Sequence, residues 1–485
     1  MRSFDQSGHA TAPHRLSPPF PFSPPWPSAR LRAARLAICV LLLALGYIAT
    51  GGGGRVSAQM AITAAGDMPR AAAPAPPVSE ASAGATSGAA MARAIGSPVE
   101  VMADGSLSEM RPAIAYNGDR DEYLVVWYND RPGNDDIRAQ RVAGNGALRG
   151  GPFYISAGSG AERRNPSVAY SPDQKRYLVV WEHDDGTYSR IFGRVVEGTG
   201  QLAGTEFPIS TGPALKNCFT PAIAYASTAN KFLVVWQRTV VAALSSDIEG
   251  QVLMDTGSPQ GTNFIIHQGT TPFDSAAPAL AYNRRRNEHL VVWEQLDKSA
   301  SITDIYGRLV TGNGTPLLPE SIEYARFTVS NYKPAVAAIP TASPIGQYFI
   351  IWELQYAAGD RNIYGRIAAG DGSPGTGLYL AGSVRDETSP AIVGDEGRQL
   401  YFGVWTRPAD PPLALESIYY RLSNTGAVTL VPDTWLMGSF AGHAAVATGT
   451  SGDIFTVAED LPLGGTQGIY GQLWGERVYM PVVEQ

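Results

Sequence analysis

From residue 97 onward the chain alternates short apolar runs with polar, glycine-rich breaks, and the runs recur in a fixed order. The first element of each unit is Pro-x-aliphatic-Ala-Tyr: Pro112–Tyr116 (PAIAY), Pro166–Tyr170 (PSVAY), Pro221–Tyr225 (PAIAY) and Pro278–Tyr282 (PALAY). It degrades to PAVAA from Pro334, PAIVG from Pro390 and AAVAT from Ala444. The second is an aliphatic run closed by tryptophan, at Trp127, Trp181, Trp236, Trp293, Trp352 and Trp405, with spacings of 54, 55, 57, 59 and 53 residues; a seventh copy places Ala458 there. The third reads DIRAQRV from Asp136, DIEGQVL from Asp247 and DIYGRLV from Asp304, with RIFGRVV, NIYGRIA, SIYYRLS and GIYGQLW as variants. A glycine turn such as Gly144-Asn145-Gly146 and a short fourth run follow. β-Branched and aromatic runs punctuated by turns read as strands, and no helical period competes with them.

The second strand is apolar at every position, so both of its faces must be covered. A lone four-stranded meander cannot do this, whereas a sheet stacked between two siblings can. Gly307 and its counterparts in the third strand predict a close aromatic neighbour, and alanine in the first strand suits a crowded inner edge. Seven such units predict an all-β fold: a seven-bladed β-propeller of four-stranded antiparallel blades. Ser97–Met102 looks like a fourth strand without its own unit. It is expected to close the ring, as an N-terminal strand, against the unit at 443–475, with Val478–Val483 as the rival for that edge.

By the P-x-hA-Y, LVVW and DIYGR motifs the chain resembles secreted bacterial β-propeller repeat proteins over residues 97–475. Tyr170–Trp181 (YSPDQKRYLVVW) is loosely similar to a TolB-type or WD40-like blade. Propellers of this kind include lectins, scaffolds, sialidases, glycosidases and lyases, so the resemblance implies a fold and leaves the activity open.

Composition adds an address. Arg30, Arg32 and Arg35 precede the apolar run Leu36–Ala49, and small residues follow at Val56-x-Ala58. These are the parts of an export signal, expected to span 1–58 with cleavage after Ala58 and a secreted or cell-surface product. An uncleaved leader would make it an N-terminal membrane anchor, although about 14 apolar residues is short for a bilayer span. Residues 59–96 are Ala, Pro, Gly and Ser with few large apolar side chains and read as a disordered linker before the propeller at 97–485. The leader holds six arginines and one aspartate, leaving 31 basic and 43 acidic residues, a net −12. Such a body will not track a phosphate backbone, so nucleic acid is not an expected partner.

Candidate chemistry is sparse. Cys218 and the four histidines beyond the leader, His183, His267, His289 and His443, are scattered without metal-ligand spacing, and no cofactor is expected. Asn117–Glu122 faintly resembles a calcium loop, but its equivalents turn basic. No Asp-box of the sialidase form, no G-x-S-x-G elbow and no phosphate loop occurs. Acids recur after the tryptophan (Glu182, Glu294, Glu353) and before the third-strand isoleucine (Asp136, Asp247, Asp304). A catalytic pair should occur once, so their recurrence points to pairing with the third-strand arginine or to capping of loop backbone. The loops joining second and third strands are long and varied and share a face with those joining successive units. Varied loops on a fixed frame are the usual place of recognition. Asp130, Arg131, Asp135, His183, Asp185, Arg238, Asp360 and Arg407 are binding candidates by position, with no catalytic residue named. The expectation is a non-enzymatic scaffold for an extracellular protein or glycan. The alternative is a polysaccharide-active hydrolase or lyase working at the channel mouth.

Overall fold

The computed structural model describes residues 70–73, 93–103, 105–131, 133–211, 216–240, 245–382, 386–408, 415–423, 428–436, 441–450, 452–460 and 467–475. The leader and the rival closing segment Val478–Val483 lie outside the described residues. The chain forms a β-propeller of four-stranded antiparallel blades, and strand pairing groups the strands among the described residues into seven such sheets. Six are consecutive in sequence and are numbered here in chain order. Their innermost strands are Ser108–Asn117, Glu162–Ser171, Lys216–Ala226, Phe273–Asn283, Asn331–Ile339 and Thr388–Asp395. The seventh sheet combines Ala441–Thr448, Ile454–Asp460 and Gly468–Gly475 with the N-terminal strand Arg93–Met102.

Closure follows the expected route. Arg93–Met102 lies antiparallel to Gly468–Gly475, with Val99 opposite Gly471 and Glu100 opposite Tyr470. The strand begins at Arg93, inside the stretch read as linker. Each innermost strand packs on the innermost strand of the next sheet, and Ser108–Asn117 meets Ala441–Thr448 to complete the circle.

The core lies between sheets. Trp127, Trp181, Trp236, Trp293, Trp352 and Trp405 are all 0 % exposed, so the all-apolar second strand is covered on both faces as its composition demanded. A β-carbon on Gly307 would lie 2.7 Å from the Tyr324 ring, one on Gly365 2.8 Å from Phe349 and one on Gly471 2.4 Å from Phe455. At Gly193 the neighbour is instead aliphatic, Ile209 at 2.8 Å. The arginines at the DIYGR position, Arg194 and Arg308, do not pair with the recurring acids. Arg194 donates to the carbonyl of Ile155 and Arg308 to that of Ile266, each at 2.7 Å, stapling one sheet to the outer strand of the sheet before it.

Candidate functional site at the channel mouth

Every innermost strand is interrupted at the same place. The register slips between Met110 and Ala113, Arg164 and Ser167, Phe219 and Ala222, Ala276 and Ala279, Tyr332 and Ala335, Thr388 and Ala391, and Gly442 and Ala445. Two residues bulge out at each slip, and the first of them has left-handed backbone: Arg111, Asn165, Thr220, Ala277, Lys333, Ser389 and His443, with φ between 30° and 55°. Proline normally drives the residue before it toward extended backbone, so φ > 0 there is a strained choice that the surroundings must enforce. The bulge aims that residue at the axis. The seven pairs line one cavity of about 280 Å³ at the channel mouth on the long-loop side.

The recurring glutamates enforce it. Oε1 of Glu294 accepts from the backbone N–H of Lys333 at 2.7 Å, Glu353 from Ser389 at 2.7 Å and Glu459 from Arg111 at 2.5 Å. Glu182 does the same for the N–H of Thr220. Each carboxylate sits on one sheet and holds the bulge of the next, so capping of backbone is their shared role, and Glu353 adds a pair with Arg361 of its own third strand. Desolvation pushes Glu182 and Glu294 above the ordinary carboxylate range, and Glu353 nearby adds to the effect at Glu294. The N–H donors oppose the shift without cancelling it.

What faces the axis is therefore set by the variable left-handed residue, which precedes a proline in six sheets and Ala444 in the seventh. Arg111 and Lys333 are exposed there, and His443 lies partly buried with Nδ1 3.1 Å from Glu459. The Lys333 ammonium is 3.0 Å from Glu353, a fully buried carboxylate that also takes Arg361 at 3.2 Å. The mouth presents cations and neutral hydrogen-bonding groups, with the carboxylates held behind them.

The positions singled out by loop length lie around the same face but form no single cluster. Arg131 donates its N–H to Asp135, and Asp135 is fully buried and paired with Arg164 of the next sheet. Asp130 is exposed beside them. His183 stacks on Phe192 at 4.3 Å, and desolvation lowers its basicity. Asp185 is exposed and caps the turn by accepting from Thr187 and Tyr188, each at 2.9 Å, which lowers its pKa. Arg238 pairs with Asp247 and Glu249. Asp360 opens the strand Asp360–Ala369 and is pushed up by desolvation. Arg407 lies in the strand Leu400–Pro408, with its side chain outside the described residues. Sequence reasoning missed the ring before the prolines. The signal was the repeated x-Pro, whose x varies too much in chemistry to draw notice.

The opposite mouth differs. Tyr116, Tyr170 and Tyr225 donate to Asp121, Asp119 and Asp173, and Tyr282 donates to Asn287. The last three units carry Ala338, Gly394 and Thr448 instead, and a hollow of about 540 Å³ opens beside Asp395, Glu396, Arg398 and Tyr116. Arg284 of the fourth sheet reaches past the fifth to pair with Glu396 of the sixth. Among the described residues, no three His, Cys, Asp or Glu side chains converge as metal ligands would.

No family model matches the sequence, and none of the curated proteins compared with it does. Similar solved structures include an ulvan lyase from a new family of polysaccharide lyases, at TM-score 0.54 and 12 % identity over 79 % of this chain and 96 % of that one. A protein of unknown function from Dyadobacter fermentans follows at TM-score 0.49 and 11 % identity, covering 80 % and 99 %. The β-propeller domain of the Trilobed protease from Pyrococcus furiosus follows at 0.42 and 10 %, covering 79 % and 99 %. At these identities the likeness is one of fold alone.

Proposed function

We propose that the chain is an exported, non-enzymatic binding scaffold, a ring of seven blades that recognises an extracellular protein or glycan through its long-loop face and the mouth at its centre. One observation carries this reading. The glutamates that recur at the mouth hold the backbone of the neighbouring sheet, while the residue that faces the axis changes from unit to unit. A fixed frame with varied inward groups suits recognition. Arg111 and Lys333 favour a ligand carrying carboxylate or sulfate groups. The test is a glycan array and a panel of acidic polysaccharides offered to residues 59–485, with Arg111→Glu/Lys333→Glu as the variant. Binding to anionic polymers that the variant loses supports the reading, and release of shortened product from any polymer overturns it.

A second reading is favoured by the raised pKa of Glu182 and Glu294. Carboxyls whose burial favours the protonated form are suited to acid catalysis, and one structure of shared fold is a polysaccharide lyase. Under this reading product release would be abolished by Glu182→Gln or Glu294→Gln with folding retained.

A further inference from the structure

Three sheets carry an aspartate directly before the third-strand isoleucine, and each acquires an arginine by a different route. In the first sheet Asp136 lies 3.9 Å from Arg163 of the second sheet and accepts from the N–H of Gly158 at 3.1 Å. In the third sheet Asp247 pairs with Arg238, directly opposite on the neighbouring strand, and accepts from Gly269 at 2.9 Å. The fourth sheet has neither source. Gln295 stands opposite Asp304 where Arg238 stands opposite Asp247. Asn331 occupies the place of Arg163, two residues before the left-handed residue of the next sheet.

The arginine comes instead from far upstream. Arg70 Nη1 lies 2.5 Å from Asp304 Oδ1, and Nη2 lies 3.2 Å from Asp297 Oδ2. The Asp304 side chain is 4 % exposed and that of Arg70 is 13 % exposed, so the guanidinium is well enclosed. The backbone is also read. Ala71 N–H donates to the Arg326 carbonyl at 3.2 Å, the Thr328 N–H donates to the Ala71 carbonyl at 2.9 Å, and Ala71 bridges Phe327 in parallel. Two carboxylates for a fork and two main-chain bonds for an extended segment are the elements of peptide recognition by strand addition.

We propose that the fourth sheet carries an arginine-recognition slot, formed by Asp297, Asp304 and the backbone at 326–328, which residues 70–73 fill in cis and which an arginine in an extended segment of a partner protein can occupy in their place. A strand intrinsic to the fold would be continuous with its sheet. This segment is joined to the first described strand only through residues 74–92, rich in Ala, Ser, Gly and Pro, so its release does not require any sheet to open. The slot lies on the long-loop face, and it stands whether or not the central mouth binds a glycan.

The test is fluorescence anisotropy with a labelled peptide of the sequence of residues 67–75. The Arg70→Ala chain should bind it saturably. The unaltered chain should bind about tenfold more weakly or worse, because its slot is already filled. Arg70→Ala/Asp304→Asn should not bind, and a peptide with lysine for arginine should bind less well, since an ammonium lacks the fork. No binding to the Arg70→Ala chain, or binding that survives Asp304→Asn, overturns the proposal. Limited trypsin digestion supplies a readout on the unaltered chain. Cleavage after Arg70 should be slow in the native protein and at least about tenfold faster in Asp304→Asn, since cleavage follows the fraction of open segment. Equal rates in the two chains overturn it as well.

Discussion

The backbone N–H of Lys333 donates to Oε1 of Glu294 at 2.7 Å across the seam between two sheets. The same residue continues the chain of contacts: its ammonium lies 3.0 Å from Glu353, and Glu353 accepts the N–H of Ser389 on the sheet after that. Three sheets are thus linked by alternating glutamate and bulge, and the bulge brings Lys333 to the axis. Packing of tryptophans holds the ring together; this relay shapes its mouth.

Glu353 should prove the most costly of these carboxylates to remove. It is fully buried and serves Ser389, Lys333 and Arg361 together. Lys333 and Arg361 are 45 % and 37 % exposed and can regain water, so the loss falls mainly on the Ser389 N–H and the bulge. Glu353→Ala should cost about 2 kcal/mol in urea unfolding, the scale of a buried polar group left without its partner. Glu353→Gln should recover part of this, because an amide oxygen can still accept. An unchanged midpoint for Glu353→Ala would show that the relay does not support the fold.

The sheet glycines give a sharper steric test. A β-carbon at Gly307 would lie 2.7 Å from the Tyr324 ring and 2.9 Å from the Val291 carbonyl, and the carbonyl cannot swing away. Gly307→Ala should lower stability by about 1–3 kcal/mol through overpacking. Gly151→Ala, where a β-carbon meets nothing within 4 Å, should be near neutral. Equal melting temperatures for the two variants would contradict the close packing of Gly307 against Tyr324 and Val291 within the fourth sheet.

Ring closure predicts a failure of a different kind. Arg93–Met102 supplies the fourth strand of the last sheet. A chain lacking residues 1–102 exposes the hydrogen-bonding edge of Gly468–Gly475, and unpaired edges recruit other chains. Size-exclusion chromatography should show larger species or aggregate relative to the longer chain. A well-behaved monomer of equal stability would mean that closure by this strand is dispensable.

These properties were unevenly legible in the amino-acid order. The tryptophan-bearing strands announce double-sided burial because Leu124, Val125 and Val126 leave no polar position to face water, and Ser97–Met102 announces itself as a strand without partners. The mouth was hidden for the opposite reason. Arg111, Asn165, Thr220, Ala277, Lys333, Ser389 and His443 have only their backbone conformation in common, and a left-handed residue before proline runs against local preference. Arg70 was hidden by distance. It sits in an Ala- and Pro-rich stretch, and Asp304 is 234 residues away.

Protonation gives a separate test of Glu294. Burial raises Glu294 above its unfolded value of 4.5, so the folded chain binds this proton more tightly than the unfolded chain does. The group therefore costs nothing while protonated in both states. Its penalty grows as pH rises from about 4.5 through the folded pKa, and stays constant above it. Glu294→Gln keeps an acceptor for Lys333 and carries no charge. Its stability relative to the unaltered chain should rise across that window and level off at higher pH. A constant difference between pH 4 and pH 8 in denaturant titrations would show that the buried carboxylate is not strained by its surroundings.

Asp304 extends the same reasoning to the docked segment. Desolvation, helped by the like charge of Glu323, outweighs Arg70 and Arg326 and raises its pKa from 3.8 to about 6, while Asp297, more exposed, is lowered by Ser299 and its neighbours. Arg70 pulls the Asp304 value down, so docking favours the ionised carboxylate and is weakened when that carboxylate gains a proton. Acidification through pH 6 should therefore loosen residues 70–73. The sheet should remain intact, because a neutral Asp304 is easier to bury than a charged one. Hydrogen exchange at the Ala71 and Thr328 amides, corrected for intrinsic rates, should show protection falling between pH 7 and pH 5, with no loss at the amides flanking Trp293. Asp304→Asn should show low protection at Ala71 at both pH values. Protection at Ala71 that held constant down to pH 5 would detach the docked segment from the charge of Asp304 and leave its backbone bonds alone to hold it.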